Sequence, residues 1–323
     1  MENTTGGSVL EQPTHEPILS AKLPGSIALL KLSIAYYREH FHALALVMVV
    51  PLVMQILSIL ISNPAVSGIL MFATVVASVL ATISLFGIIV GGWSTEGSVG
   101  EIYKKSTKWF WPMVLVQAYV TITVIGGLFL FVVPGIYAAI ALNFAVYVFF
   151  AENKTGVSAI VESWYYVKDN WGPVLWRISV FWIIFAIIGA ALAAADVGPS
   201  LIQILEQVQK PESAAPEFSS SPVISVVQAV IQFLLASPLT VIYASLLFRS
   251  LKAIKTATPT ESDKQKIEKR VRMFMMVGIV GLVLVILVSG AFVISLLKGM
   301  NSFGGIGLPS AVIDALQKIP GLH

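Results

Sequence analysis

The chain has no cysteine, only four histidines and few charges: Asp, Glu, Lys and Arg make up 11% of its 323 residues. Without cysteine there are no disulfides, no thiolate nucleophiles and no thiolate metal ligands. The histidines form no ligand set. His15 lies in a polar arm, His323 is terminal, and His40 and His42 stand beside Glu39, where adjacent side chains on a helix splay apart. H-E-x-x-H, G-x-S-x-G and P-loop patterns are missing. These absences point to no cofactor, no metal and no catalytic residue. The scarcity of charge excludes more. A soluble domain has roughly a quarter of its residues charged, whereas 57% of this chain is hydrophobic. A net charge of +3 is too small to argue for nucleic acid as a partner.

What the chain does have is long apolar runs. They cover about 42–62, 67–91, 111–133, 135–150, 173–195, 223–248 and 273–297. The bilayer requires ~20 apolar residues for a helix to cross its hydrocarbon core. Trp111 to Phe150 is a single run of forty residues. Fully helical it would reach roughly 60 Å, twice the need, so the sequence predicts a structural turn at Pro134-Gly135. The expected fold class is all-α: a polytopic transmembrane helical bundle with a six-helix core, a seventh span and interfacial amphipathic helices.

Charge placement gives a direction. Seventeen of the twenty Lys and Arg residues fall in alternate gaps, leaving Lys210, Lys298 and Lys318 on the other side. The positive-inside rule then predicts a bacterial cytoplasmic (inner) membrane protein with its N-terminus cytoplasmic and its C-terminus extracytoplasmic. Residues 1–22, with Glu2, Glu11 and Glu16 and no apolar stretch, read as a disordered cytoplasmic arm and not a signal peptide. The remaining expected divisions are a six-span membrane domain (23–251), a basic cytoplasmic linker (252–272), the seventh helix (273–297) and an extracytoplasmic tail (298–323). The extracytoplasmic loop 196–222 carries four acidic residues against Lys210, and the tail holds a short apolar helix near 308–316.

Two segments show amphipathic helical spacing. Ile27, Leu30, Ile34 and Tyr37 form one stripe; Val157, Ile160, Trp164, Val167 and Trp171 form the other, with Glu162, Tyr166 and Asp169 on another face. Either helix fits the membrane surface or a place against the bundle. Trp109, Phe110 and Trp111, and Trp164, Tyr165, Tyr166, Trp171 and Trp176, read as interfacial aromatic belts.

Polar groups inside the spans are amides: Gln55, Gln117, Asn143, Gln228 and Gln232. Gln228 and Gln232 stand one turn apart, and with Asn143 they are the candidate polar membrane cluster, either bonding helices together or lining a solute path. Arg177 reads as a snorkelling side chain. Ala186, Gly189, Ala190 and Ala193 form a candidate helix-packing face, with Gly278 and Gly281 a weaker seam. Either suits another span of this chain or a second copy.

The stretch Phe131 to Arg177 also carries Pro134-Gly135-Ile136, Asn143-Phe144, Glu152, Ala159, Ser163 and Asn170-Trp171. In these features it resembles the membrane domain fused to some bacterial glycerophosphoryl diester phosphodiesterases, and related stand-alone membrane proteins. The looser likeness extends over Pro24 to Leu251. It implies a six-helix architecture with interfacial helices. The enzymes' soluble catalytic barrel has no counterpart here, so the resemblance implies no activity. The reading at this point is a non-enzymatic membrane protein acting in scaffolding or envelope and lipid homeostasis, with transport of a small solute or lipid as the alternative. Its expected partners are membrane lipids and either a membrane protein or a second copy.

Overall fold

Prolines, glycines and capping side chains set where the helices begin, bend and end. The structure, a computed structural model, describes residues 23–302 apart from 62, 96–97, 210–220 and 256–258, and only the backbone path over 196–209 and 297–302. The expected N-terminal arm and the tail helix near 308–316 lie outside these residues. In chain order the elements are α1 (Ser26–Glu39), α2 (Phe41–Leu60), α3 (Pro64–Ile89), α4 (Val99–Leu130), α5 (Val132–Leu142), α6 (Ala145–Glu152), α7 (Gly156–Val167), α8 (Trp171–Gln209), α9 (Pro222–Val230), a π-helical turn (Ile231–Ala236), α10 (Ser237–Ile254) and α11 (Glu261–Ser302). Among the described residues there is no strand. Seven elements are long and apolar enough to cross a membrane: α2, α3, α4, α5 with α6, α8, α9 through α10, and α11. The protein is an all-helical, multi-pass transmembrane bundle.

Local chemistry explains the starts. The Asn63 carboxamide accepts from the Ala65 and Val66 amides, with Pro64 as the first helical residue of α3. Ser98 and Glu101 form a reciprocal capping box at α4.

The reversal between the third and fourth spans is displaced from its expected place. It lies at Phe131, whose backbone is extended (φ −168°, ψ 159°). Pro134 and Gly135 fall in the first turn of α5, where a missing proline amide costs no helical bond. Their contribution is proximity: a Cβ on Gly127 would lie 2.9 Å from the Gly135 Cα. The fourth span then breaks at Asn143-Phe144, and Ser163 Oγ of α7 donates to the Ala141 carbonyl at that break (2.8 Å).

Prolines inside two spans are answered from elsewhere. Pro51 has no amide for the Val47 carbonyl; Tyr103 of α4 donates its hydroxyl there instead (2.8 Å). Pro238 likewise leaves the Leu234 carbonyl, which accepts from the Tyr37 hydroxyl of α1. Beside it the π turn is closed by the Ser237 amide reaching back to Gln232.

The structure also decides where the two amphipathic helices sit. Helix α7 is enclosed by α4, α5, α6 and α11, with every residue from Ala159 to Val167 buried. Of its supposed polar face, Glu162 and Tyr166 are buried, whereas Asp169, beyond the helix end, is exposed. Trp164, Tyr165 and Tyr166 are therefore core residues, whereas Trp111 and Trp176 are exposed on the bundle's outside. Trp109 is also drawn inward, stacking on Phe150 at 5.5 Å. Helix α1 packs on α10 and α8 through Leu29, Ser33 and Tyr37, leaving Ile27 and Ile34 exposed.

The last span is no appendage. Helix α11 crosses α4 so closely that a Cβ on Gly126 would overlap the Phe274 carbonyl oxygen, and one on Gly278 the Ile122 carbonyl oxygen. By contrast Ala186, Gly189, Ala190 and Ala193 of α8 are exposed, and a Cβ on Gly189 would meet nothing within 4 Å. Within one chain that stripe is not a packing face.

Candidate functional site

The half of the bundle remote from the basic clusters contains a cleft of about 890 Å³ between α2, α8 and the α9–π–α10 span. Its walls include Ile59, Trp182, Phe185, Ile188, Leu192 and Phe233, and Ala186 and Gly189 leave it deep. Trp182 and Ile188 are exposed on the outside of the bundle, so the cleft opens sideways. Three carboxamides face this space: Gln55 from α2, Gln228 from α9 and Gln232 from the π turn. None has a side-chain hydrogen bond to a described residue. Helical rise places Gln228 ~9 Å and Gln232 ~15 Å along the span from Pro222. The amides thus lie well below the membrane surface on that side.

The local backbone explains how Gln232 comes to face the cleft. Pro238 prevents regular α-helical bonding, the chain takes a π turn, and Ile231, Gln232, Phe233 and Ala236 line the space together. Toward the basic side the cleft stops. Phe185 packs on Phe181 (4.9 Å between ring centroids), and Phe181 stacks on Tyr243 (4.6 Å). Phe181 and Tyr243 are both buried, and the Tyr243 hydroxyl donates to the Arg177 carbonyl. The Arg177 guanidinium holds the Leu23 and Pro24 carbonyls (2.9 and 2.7 Å), fixing the approach to α1. It acts as an anchor and not as a snorkelling charge.

Asn143 does not join Gln228 and Gln232. It lines a separate depression of about 300 Å³ between α4 and the α5–α6 break, alongside Gln117, Thr121 and Val146. Helical periodicity was enough to pair Gln228 with Gln232. It carries no information about which spans are neighbours, and the structure therefore replaces Asn143 by Gln55 as the third amide of the cluster.

The ionisable side chains gather instead at the basic end. Glu152, closing α6, accepts from the Tyr166 hydroxyl (2.8 Å) and pairs with Lys154 (2.9 Å) and Lys252 (3.0 Å). Lys154 also reaches buried Glu162 at 2.5 Å. Burial alone would lower the Lys154 pKa, but its bonds to Glu162 and Glu152 prevail and raise it. Burial, reinforced by the bond to Glu152, pushes the Tyr166 phenol up. The two acids and two lysines balance in formal charge. Further pairs, Lys255–Asp169 (2.5 Å) and Lys168–Asp263 (3.2 Å), tie α10 and α11 to the end of α7. The sequence signal for this network was Glu162 itself, a charge set between apolar Ile160-Val161 and Trp164-Tyr165-Tyr166.

Glu39, His40 and His42 border another depression of about 390 Å³. His40 is taken up by its own turn, stacked on Tyr36 at 4.3 Å and bonded to the Tyr36 carbonyl. Among the described residues no group of three or more His, Cys, Asp or Glu side chains is placed to hold a metal ion. No ionisable side chain among the described residues lines the large cleft. No family model, curated protein or solved structure matches the chain.

Proposed function

We propose that the protein is a non-enzymatic component of a bacterial cytoplasmic membrane, N-terminus cytoplasmic and C-terminus extracytoplasmic, that holds an amphiphilic lipid and serves envelope lipid homeostasis. One observation carries this reading: a sideways-open cleft of about 890 Å³ with apolar walls, three carboxamides that bond no described side chain, and no ionisable side chain among the described lining residues. Such a space suits an acyl chain against Ile59, Leu192 and Phe233, with a hydroxyl, ester or amide of the ligand meeting Gln55, Gln228 and Gln232. A charged headgroup would lose its hydration there without a counter-charge, so the polar part that enters is uncharged. Membrane depth sets the entry route, from the leaflet opposite the basic clusters.

The resemblance noted over Phe131–Arg177 supports an architectural role for that stretch. Ser163 and Glu152, two of the residues that carry it, are the ones that seat α7 against α5 and α6. Transport is the second reading, favoured by the irregular π turn beside the amides. The Phe185–Phe181–Tyr243 stack favours holding over passage, because a transported ligand would have to separate those rings.

The test is to extract the protein in lipid-retaining polymer discs and quantify co-purifying lipids by mass spectrometry. One uncharged-headgroup class is expected to be enriched over the bulk membrane and to return to the bulk ratio in the Gln228→Leu/Gln232→Leu variant. A wild-type lipid profile matching the bulk membrane would overturn the reading.

A further inference from the structure

Gln117, Thr121 and Asn143 pose a problem that the cleft does not solve. Gln117 and Thr121 stand one turn apart on the outer face of α4, and Asn143 is exposed beside them. Helical rise from Glu152 puts Asn143 ~14 Å into the bilayer, near its middle. None of the three side chains bonds to a described residue. Neighbouring Ser78 and Thr82 on α3 already donate to their own helix, at the Thr74 and Ser78 carbonyls. Acyl chains offer nothing to a carboxamide, and an unpaired one in hydrocarbon is costly.

We propose that this face of α4 is the interface of a parallel homodimer, in which the Gln117 and Asn143 carboxamides bond to those of a second copy. Copies of a membrane protein share one orientation, so a two-fold axis along the membrane normal keeps the amides of both copies at the same depth and makes their contacts reciprocal. A carboxamide carries both donor and acceptor and is complementary to another carboxamide, whereas like-charged side chains brought together would repel. Shape agrees. Gln117 and Thr121 form a ridge between two grooves, one of about 470 Å³ against α3 and one of about 300 Å³ against α5–α6. Each copy's ridge fits a groove of the other. The larger cleft is concave, and two concave faces brought together would enclose a void. Shape thus separates the two amide groups, the ridge taking a second copy and the cleft a ligand. The exposed α8 stripe has no polar group that needs covering.

Because the chain has no cysteine, single cysteines report on this directly. In native membranes, Ala118→Cys, beside the ridge in the groove against α3, is expected to give a homodimer with a bifunctional maleimide, and Ala190→Cys on α8 is not. Adding Gln117→Leu and Asn143→Leu should lower the cross-linked fraction roughly three- to tenfold, the scale of interhelical amide bonds in membranes. Leucine is at home in lipid, and an unchanged thermal midpoint of the monomer in detergent would verify that the variant folds. Four results would each overturn the proposal: cross-linking indifferent to the leucines, a dimer through Ala190→Cys alone, an adduct with a different protein, or no adduct at either position.

Discussion

At the scale of single residues, the bundle is shaped by carbonyls that lose their usual donor. Pro51 leaves Val47 and Pro238 leaves Leu234, and a tyrosine hydroxyl reaches each from another helix. Tyr103→Phe should lower stability by about 1–3 kcal/mol, the cost of a buried polar group left unpaired, read as a fall in thermal midpoint in detergent. Tyr37→Phe should act in the same direction. Tyr119→Phe, which breaks no hydrogen bond among the described residues, is the control. In a Pro51→Ala background the residue-51 amide is restored and can bond Val47 itself, so the Tyr103→Phe penalty should shrink. An equal penalty in both backgrounds would mean that the hydroxyl is not standing in for that amide. The prolines were legible in the sequence; the tyrosines were not. Nothing in local spacing connects positions far apart in the chain, and the same limit explains why Asn143 was grouped with Gln228 and Gln232.

At the scale of elements, the contact between α4 and α11 rests on Gly126 and Gly278. Overpacking of a tight contact costs typically 1–3 kcal/mol, and here the obstructing atoms are backbone, which cannot swing aside. Gly126→Ala or Gly278→Ala should therefore destabilise by about 2 kcal/mol or more and release α11 to proteolysis, while Gly189→Ala should leave both readouts unchanged. Equal effects at all three positions would remove the special role of the crossing. The Gly278/Gly281 seam was visible in the sequence but looked weaker than the α8 stripe. Small residues permit close approach without requiring it, and the partner residues Ile122, Gly126 and Phe129 lie in a different span. Helix α7 shows a related limit. Its periodicity revealed an apolar face, but a helix surrounded by four others buries its remaining faces too, with Glu162 neutralised by Lys154.

For the whole molecule, the seven spans were legible because crossing hydrocarbon is a demand that composition alone must meet. Charge asymmetry adds an expected orientation. A reporter at Lys264 should therefore be cytoplasmic and one at Glu212 extracytoplasmic, and the reverse result would invert the topology. Some of the basic residues behind that expectation have a second task. Lys252, Lys255 and Lys168 pair with Glu152, Asp169 and Asp263, so the basic end is also a clasp across α7, α10 and α11.

The two tyrosine contacts differ in their timing. A chain made from its N-terminus presents Val47 to the membrane before Tyr103, 56 positions later, exists. Leu234, in contrast, emerges long after Tyr37, 197 positions earlier. The first span is thus born incomplete and waits for the third, while the sixth arrives to find its partner in place. The order of synthesis makes the third span the event that matures the first.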